Sequence, residues 1–501
     1  MRSGYFTSYC LIIAIALSFA TAFYSPVNAQ SALDDERDGW EGSSLGVRLE
    51  MQDGYPTIDT VYEHVRESSP FIDGDRIEKI AELEFPAETL GPLRDLMKTT
   101  QPDARLHCVV LRDGEAKSLT LTTYRLEFVD IQAIYRRLYR NKIIKDHLQA
   151  TQRGQWFDDF TARMSNKVGS SASPRLATEA INSIIDEIGV SHTAIIPSSA
   201  GLGFGAETVG GIGILLQRHQ IGHRSGYFVV DMKPGGPADQ SKLLIGDEVL
   251  RVNGLAISDS KRLDLSGHEA RYQLYNLMVK DGETVNLEVL SSPFEDTHDV
   301  EVIGAAELST LQAFRNSARA IESSGLKFGY VRFWNLMSMR VATDFKSKIE
   351  DEFSEADCII MDLRGRGGIV PAVTSLDRTV GEMELPVVAI IDGLTRSAKE
   401  MLAYLIKKHD NVTVIGTKTS GAVTGATFLR LPSGNSLMFP VASADSLGRY
   451  LDGEIIEGVG VEPDEEFKFF VPYAAGTDHL LNAAIKKAAQ LANNRTGINR
   501  R

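Results

Sequence analysis

The chain has 501 residues, 43% of them apolar, and its 53 Lys+Arg against 67 Asp+Glu give a formal charge of −14. That length holds about three domains, each with apolar material for its own core, which excludes a disordered or fibrous chain. The acidic balance, with only a short basic end from Arg495 to Arg501, leaves no electrostatic footprint for phosphate backbones and excludes nucleic acid as the main partner.

At the N-terminus, Arg2 precedes an apolar run from Cys10 to Phe23, and Val27-Asn28-Ala29 then supplies a small-residue cleavage pattern. This predicts a signal peptide over residues 1–29 and an exported mature chain, periplasmic or extracellular; the run is too short for a comfortable membrane span. No later apolar run is long enough to span, so no stable membrane span is expected in the mature chain. Cys10 leaves with the signal, and Cys108 and Cys358 fall in apolar strand-like runs of different domains, so two buried thiols are expected rather than a disulfide.

Two segments share a pattern in which Gly-Asp turns the chain into an alternating apolar strand: Gly74-Asp75-Arg-Ile77 and Gly246-Asp247-Glu-Val249. The second, over residues 205–305, resembles a PDZ domain. The resemblance implies that Gly211, Ile212, Gly213, Ile214 and Leu215 form the loop whose N–H groups hold a peptide C-terminal carboxylate, with the next strand offering an edge to the peptide. The first, over residues 36–125, resembles the same domain less closely, with Ser44-Leu45-Gly46-Val47 at the loop position. A dinucleotide fingerprint at Gly211-x-Gly213 is rejected, because the third glycine position holds Leu216.

Between these segments, residues 126–200 carry apolar residues at helical spacing and end in the loop Gly189-Val-Ser191-His192-Thr193. From 308 to 490, strands alternate with helices, which predicts an α/β layer domain with mostly parallel strands. Residues 491–501 read as a basic tail.

The strand ending at Ile391 turns through Gly393 into a helix opened by Ser397, placing that hydroxyl where helix N–H groups converge. Ser397-x-x-Glu400 is equally the pattern of a capping box. Upstream, Asp362-Leu-Arg-Gly365-Arg-Gly367-Gly368 is a glycine-rich turn able to form an anion nest, and donors beside a serine make an oxyanion hole. Lys399 and Lys418 are possible bases, but Lys399 at i,i+2 from Ser397 is expected to be solvated, and Lys418 exposed. No metal motif is present and no cofactor is implied.

These motifs, followed by Gly416-Thr-Lys-Thr-Ser-Gly421 and Ile456-Glu457-Gly-Val-Gly-Val461, stand in the order seen in the C-terminal processing and tricorn-core serine peptidases, which the chain resembles over 128–200 and 308–490. The resemblance implies a ClpP/crotonase-like α/β peptidase core with two PDZ-like β-rich domains and polypeptide substrates. It implies Ser397 as nucleophile and the N–H groups of Gly367, Gly368 and Ala398 as the oxyanion hole. The lysine of the C-terminal processing branch is replaced by Ala422, whereas the tricorn-like branch is matched by His192 as base and by Ser191 relaying orientation from Glu457. Glu454 is the rival carboxylate. A serine-lysine peptidase, or an inactive peptidase fold serving as a peptide-binding scaffold, are the alternatives.

Overall fold

The computed structural model describes residues 43–62, 65–171, 173–197, 211–260, 262–265, 272–306, 308–431, 433–443 and 451–498. The expected signal peptide lies outside them. Among the described residues, no helix is long and apolar enough to cross a membrane.

The N-terminal segment forms a six-stranded antiparallel sheet from β1 (Val47–Gln52), β2 (Tyr55–Val61), β3 (Arg76–Ile80), β4 (Leu83–Glu84), β5 (Arg105–Arg112) and β6 (Glu115–Thr122), with helix α1 (Gly91–Thr99). Ile58, Ile77, Ile80, Val110 and Leu121 close its core. Cys108 in β5 and Cys358 are both free and buried, and burial pushes each thiol up to about 12.

Helices α2 (Leu126–Arg140), α3 (Lys142–Ala150), α4 (Phe160–Gly169) and α5 (Pro174–Asp186) follow. Their apolar faces cluster around Ile134, Phe160 and Ile185, and the cluster extends onto Ile195, Leu437 and Phe439. Ser173 caps α5 by accepting from Leu176 N at 3.3 Å. The chain then enters β7 (Ala194–Ile196).

The 211–306 segment is a second antiparallel sheet. Its strands are β8 (Ile214–Ile221), β9 (Arg224–Met232), β10 (Glu248–Val252), β11 (Leu255–Ala256), β12 (Leu263–Leu265), β13 (Leu274–Leu277), β14 (Thr284–Leu290) and β15 (His298–Ile303). Their order is β12-β13-β8-β9-β10-β14-β15, with β11 on β10. The expected free edge on β8 is therefore not present. β13 pairs with β8 at Leu216 and Gln217, and Gly211 bridges Met278 and Ala305, so the chain itself fills the place assigned to a peptide.

From residue 308 the chain builds α6 (Thr310–Ser317), β16 (Arg319–Ser323), β17 (Leu326–Arg332), α7 (Met339–Glu350), β18 (Cys358–Asp362), α8 (Val370–Gly381), β19 (Val387–Ile391), α9 (Ala398–Ile406) and β20 (Val412–Gly416). After β21 (Gly425–Arg430), β22 (Ser436–Ala442) and β23 (Glu465–Glu466), it ends in α10 (His479–Ile498), so residues 491–498 are helical. The main sheet runs β16-β17-β18-β19-β20-β23; β16 is antiparallel to β17, and every later pairing is parallel. Its strands are apolar on both faces, as parallel strands under two helical layers must be. Ile359, Met361 and Ala389 face the α7–α9 side, while Ile360, Val388 and Ile390 face α10. β21, β22 and β7 form a separate three-stranded sheet that carries the helical block beside the main one.

Burial pushes the carboxyls of Glu127 and Asp130 up to about 7, and Asp130 accepts from Ser433 N (3.0 Å) and Ser433 Oγ. Each folded-state pKa lies above the unfolded one, so the stability these groups contribute is full below about pH 4 and is lost as pH rises through 7. Asp130→Asn should therefore show a smaller fall in Tm between pH 4 and 8 than the wild type. Parallel melting curves across that range check this; an unchanged slope refutes it.

Candidate active site

Three neighbouring parallel strands, β18, β19 and β20, release their C-terminal loops at one edge of the main sheet, the place where open α/β sheets bind ligands. The first loop carries Gly367 and Gly368, the second Ser397, and the third residues 417–424. Hydrogen bonds fasten them: the Thr395 side-chain Oγ1 donates to Leu363 O (3.1 Å), Ser420 N to Thr395 O (3.1 Å), and Ser397 N to Ala422 O (2.7 Å).

Ser397 is half-buried, with φ 56° and ψ −131°, a backbone region that disfavours L side chains. Its side chain makes no cap bond to α9. The alternative reading of Ser397-x-x-Glu400 as a capping box is thus not realised, and the physical reason is Glu400. That carboxylate faces inward and accepts from Thr419 Oγ1, from Gly421 N (2.7 Å) and from Ala422 N (2.9 Å), while burial pushes it up to about 7. Glu400 therefore clamps the third loop instead of closing the helix end.

The glycines are sterically required. A Cβ on Gly367 would lie 2.6 Å from Ser397 Cβ, and one on Gly368 would lie 2.3 Å from Leu336 Cβ. The carbonyl of Gly367 accepts from Leu336 N (2.9 Å), and Ile369 N donates to Leu336 O (3.0 Å). The N–H groups of Gly367 and Gly368 have no acceptor among the described residues. Ala398 opens α9, where first-turn N–H groups lack intrahelical partners.

Ser191, His192 and Glu457 come together. Ser191 N and Oγ both donate to Glu457 (3.1 and 3.0 Å), and Ser191 Oγ lies 3.0 Å from His192 Nδ1. Because the single hydroxyl proton is directed to the carboxylate, Ser191 Oγ can only accept from the ring, which assigns the proton to Nδ1 and leaves the Nε2 lone pair unprotonated. Glu457 Oε2 also accepts from Val423 N (2.7 Å) and Thr424 N (3.0 Å). Residues 422–424 therefore touch the Ser397 backbone on one side and the carboxylate of the His192 relay on the other. Glu454 is exposed and is not the group that meets Ser191.

Neither rival base is placed for that role. Lys418 is paired with Glu462 on the surface (2.8 Å). Lys399 is not solvated as expected but fully buried, with Nζ directed at main-chain carbonyls. Its inward path follows from α9 itself, whose residues from Ala398 to Ala403 are buried all round. Of Gly211 to Leu215, Gly211 bridges Met278 and Ala305, Ile212 is completely buried, and Ile214 and Leu215 pair with β9. Sequence reasoning also missed a buried ionic contact between the 211–306 sheet and the first loop. Asp231 at the end of β9 pairs with Arg332 (2.8 Å) and Arg366 (3.7 Å), and Arg366 lies 3.9 Å over the Trp334 ring. Its four residues come from three separate segments and gave no local signal for it.

An α/β sheet presenting a strained serine beside paired glycines, joined to a PDZ module, is the class of protein that this geometry defines. Residues 204–266 match the PDZ domain and residues 370–467 match Peptidase family S41, so over these parts the chain is similar to that domain and that family. A carboxyl-terminal-processing protease of Picosynechococcus sp. is 25% identical over 258 residues, covering 46% of this chain and 58% of that protein. The chloroplastic C-terminal processing peptidase of Tetradesmus obliquus is 23% identical over 288 residues, covering 52% and 60%. The matched part thus spans less than two thirds of these relatives' own length. Among solved structures, the photosystem II D1 C-terminal processing protease superposes with a TM-score of 0.41 at 18% identity, covering 70% of this chain and 98% of that one.

The backbone at Ser397 generates a stability prediction. With no cap bond to lose, Ser397→Ala should shift stability by less than about 0.5 kcal/mol. Ser397→Gly should melt at or above the wild type, because relief of about 1–3 kcal/mol of strain outweighs roughly 0.5–1 kcal/mol of glycine chain entropy. Chemical denaturation of the three proteins decides this; a glycine variant less stable than the alanine variant refutes it.

Proposed function

We propose that the chain is an exported serine endopeptidase acting through an acyl-enzyme, with Ser397 as nucleophile and His192 as general base. The observation that carries this reading is the Glu457–Ser191–His192 relay, which fixes the tautomer a base requires and meets the Ser397 backbone through residues 422–424. Ser397 Oγ attacks the peptide carbonyl carbon while His192 Nε2 takes its proton. The tetrahedral oxyanion is held by N–H groups of Gly367 or Gly368 and of Ala398. The imidazolium then protonates the leaving amine, and water, deprotonated by the same ring, releases the acyl group. No metal or other cofactor enters this scheme.

The serine-lysine alternative is disfavoured by Ala422, by the surface pairing of Lys418 and by the inward engagement of Lys399. The inactive-scaffold alternative rests on Ala422 in place of the lysine, and the contacts among Glu457, Ser191 and His192 count against it. The PDZ domain acts, in this reading, as a gate on the site. Addition of a peptide strand to β8 would require β13 to leave it at Leu216 and Gln217, whereas Asp231 already reaches the loop of Gly367 and Gly368 through Arg366.

Two results are expected. A fluorophosphonate should label the wild type but not Ser397→Ala, and fluorescein-casein hydrolysis should vanish with the label; equal hydrolysis by both proteins would sink the proposal. His192→Ala should lose most activity while Lys418→Ala retains it, and the wild-type rate should fall as pH drops through about 6–7, where a histidine base takes up a proton. An inactive, folded Lys418→Ala beside an active His192→Ala would return the assignment to the serine-lysine class.

A further inference from the structure

Helix α9 begins with a cation where the helix macrodipole disfavours one. Lys399 lies in the first turn and is fully buried, yet among the described residues it makes no hydrogen-bonded pair with a carboxylate. Its Nζ donates instead to three main-chain carbonyls: Arg364 O (2.5 Å), Phe333 O (2.8 Å) and, at longer range, Trp334 O (3.4 Å). A fully buried ammonium is retained only where its protons are satisfied, and three acceptors match its three donors.

What those carbonyls belong to gives the contact its meaning. Arg364 O is one pole of the peptide unit that opens the glycine loop. The other pole of that unit, Gly365 N–H, donates to Asp392 Oδ1 (3.1 Å). Both clamps come from the segment that carries Ser397, one from each side of it. Phe333 and Trp334 lead to Leu336, whose N–H and carbonyl bond Gly367 O and Ile369 N. The loop is thus held directly at its start and, through Leu336, at its end.

We propose that Lys399 is a positioning residue for the oxyanion site: with Asp392 it locks the Arg364–Gly365 peptide and the 333–336 strand end, keeping the Gly367 and Gly368 N–H groups aimed at a substrate carbonyl oxygen. This rests on the peptidase reading above. Burial pushes the Lys399 pKa down to about 7; Arg332 at the end of β17 adds to the fall, while Asp392, Asp362 and Asp231 oppose it. Above its pKa the amine keeps two donors and turns a lone pair toward a carbonyl, so the lock weakens as pH rises.

The test uses the full chain and the rate of fluorophosphonate labelling at Ser397, whose phosphoryl oxygen must enter the oxyanion site, together with kcat and KM for fluorescein-casein. Lys399→Met keeps the side-chain length without donors. It should label about 10- to 100-fold more slowly, approaching the loss seen when an oxyanion donor is removed, and kcat should fall while KM holds. Lys399→Arg, which keeps charge and donors, should recover part of the rate. The wild-type rate should also decline between pH 7 and 10, a limb absent from Lys399→Met. A folded Lys399→Met that labels at the wild-type rate overturns the proposal. Should the variants not fold, a wild-type rate that stays level to pH 10 overturns it and a declining one supports it. A wild type that takes no label at all is a different result, since it removes the peptidase reading itself.

Discussion

The carboxylate of Glu457 joins the two halves of the site. Its oxygens accept from the backbone and hydroxyl of Ser191, 266 residues away, and from the N–H groups of Val423 and Thr424, 34 and 33 residues away. Four donors thus converge on one carboxylate, and hydrogen bonds to such a group are shorter and stronger than neutral ones. The helical block that ends at Ser191 and the main sheet that delivers Ser397 have separate hydrophobic cores, so this hub fixes their chemistry-bearing ends relative to each other.

Charge is concentrated at the same sheet edge in a second arrangement. Asp362 closes β18 and is completely buried; burial alone would raise its carboxyl, but Arg364 and Arg332 hold it below the ordinary value. Arg364 also bonds Asp478 just before α10 (2.6 Å), and Arg332 reaches Asp231 in the PDZ domain. Buried ion pairs add little net stability over an apolar core, while removal of one partner is costly. Their effect here is geometric: a PDZ strand, a central strand, the glycine loop and the last helix are tied to one set of charges.

The chemistry-bearing residues were legible where the signal is local. A strand, a glycine turn and a serine at a helix start are contiguous, as are the paired glycines after β18, so Ser397, Gly367 and Gly368 could be placed from the order of residues alone. The capping-box alternative could not be separated by sequence, because Ser397-x-x-Glu400 also suits a carboxylate bonded to residues 419–422, and only tertiary contact distinguishes the two. Lys399 was misread because helical spacing says which face a residue occupies but not that the whole first turn of α9 is enclosed. The occupied edge of β8 was invisible for the same reason: β13 pairs with a strand some 55 residues earlier, and alternation gives a strand's faces, not its neighbours.

Positive backbone φ marks the two residues proposed to carry the proton transfer. Ser397 and His192 have φ of 56° and 57°, a region uncommon for residues other than glycine. Such conformations persist only where surrounding bonds over-determine them. Ser397 is held by its N–H on Ala422 O and its carbonyl on Met401 N. His192 stands between Ser191, doubly bonded to Glu457, and β7, paired with β22. The clamps at Glu457, Glu400 and Lys399 all lie beside these two positions and none is directed at the reacting atoms, so the stabilising contacts maintain a backbone that intrinsic preference would relax. This explains why polar side chains buried at their own desolvation cost concentrate at one edge of an otherwise apolar sheet.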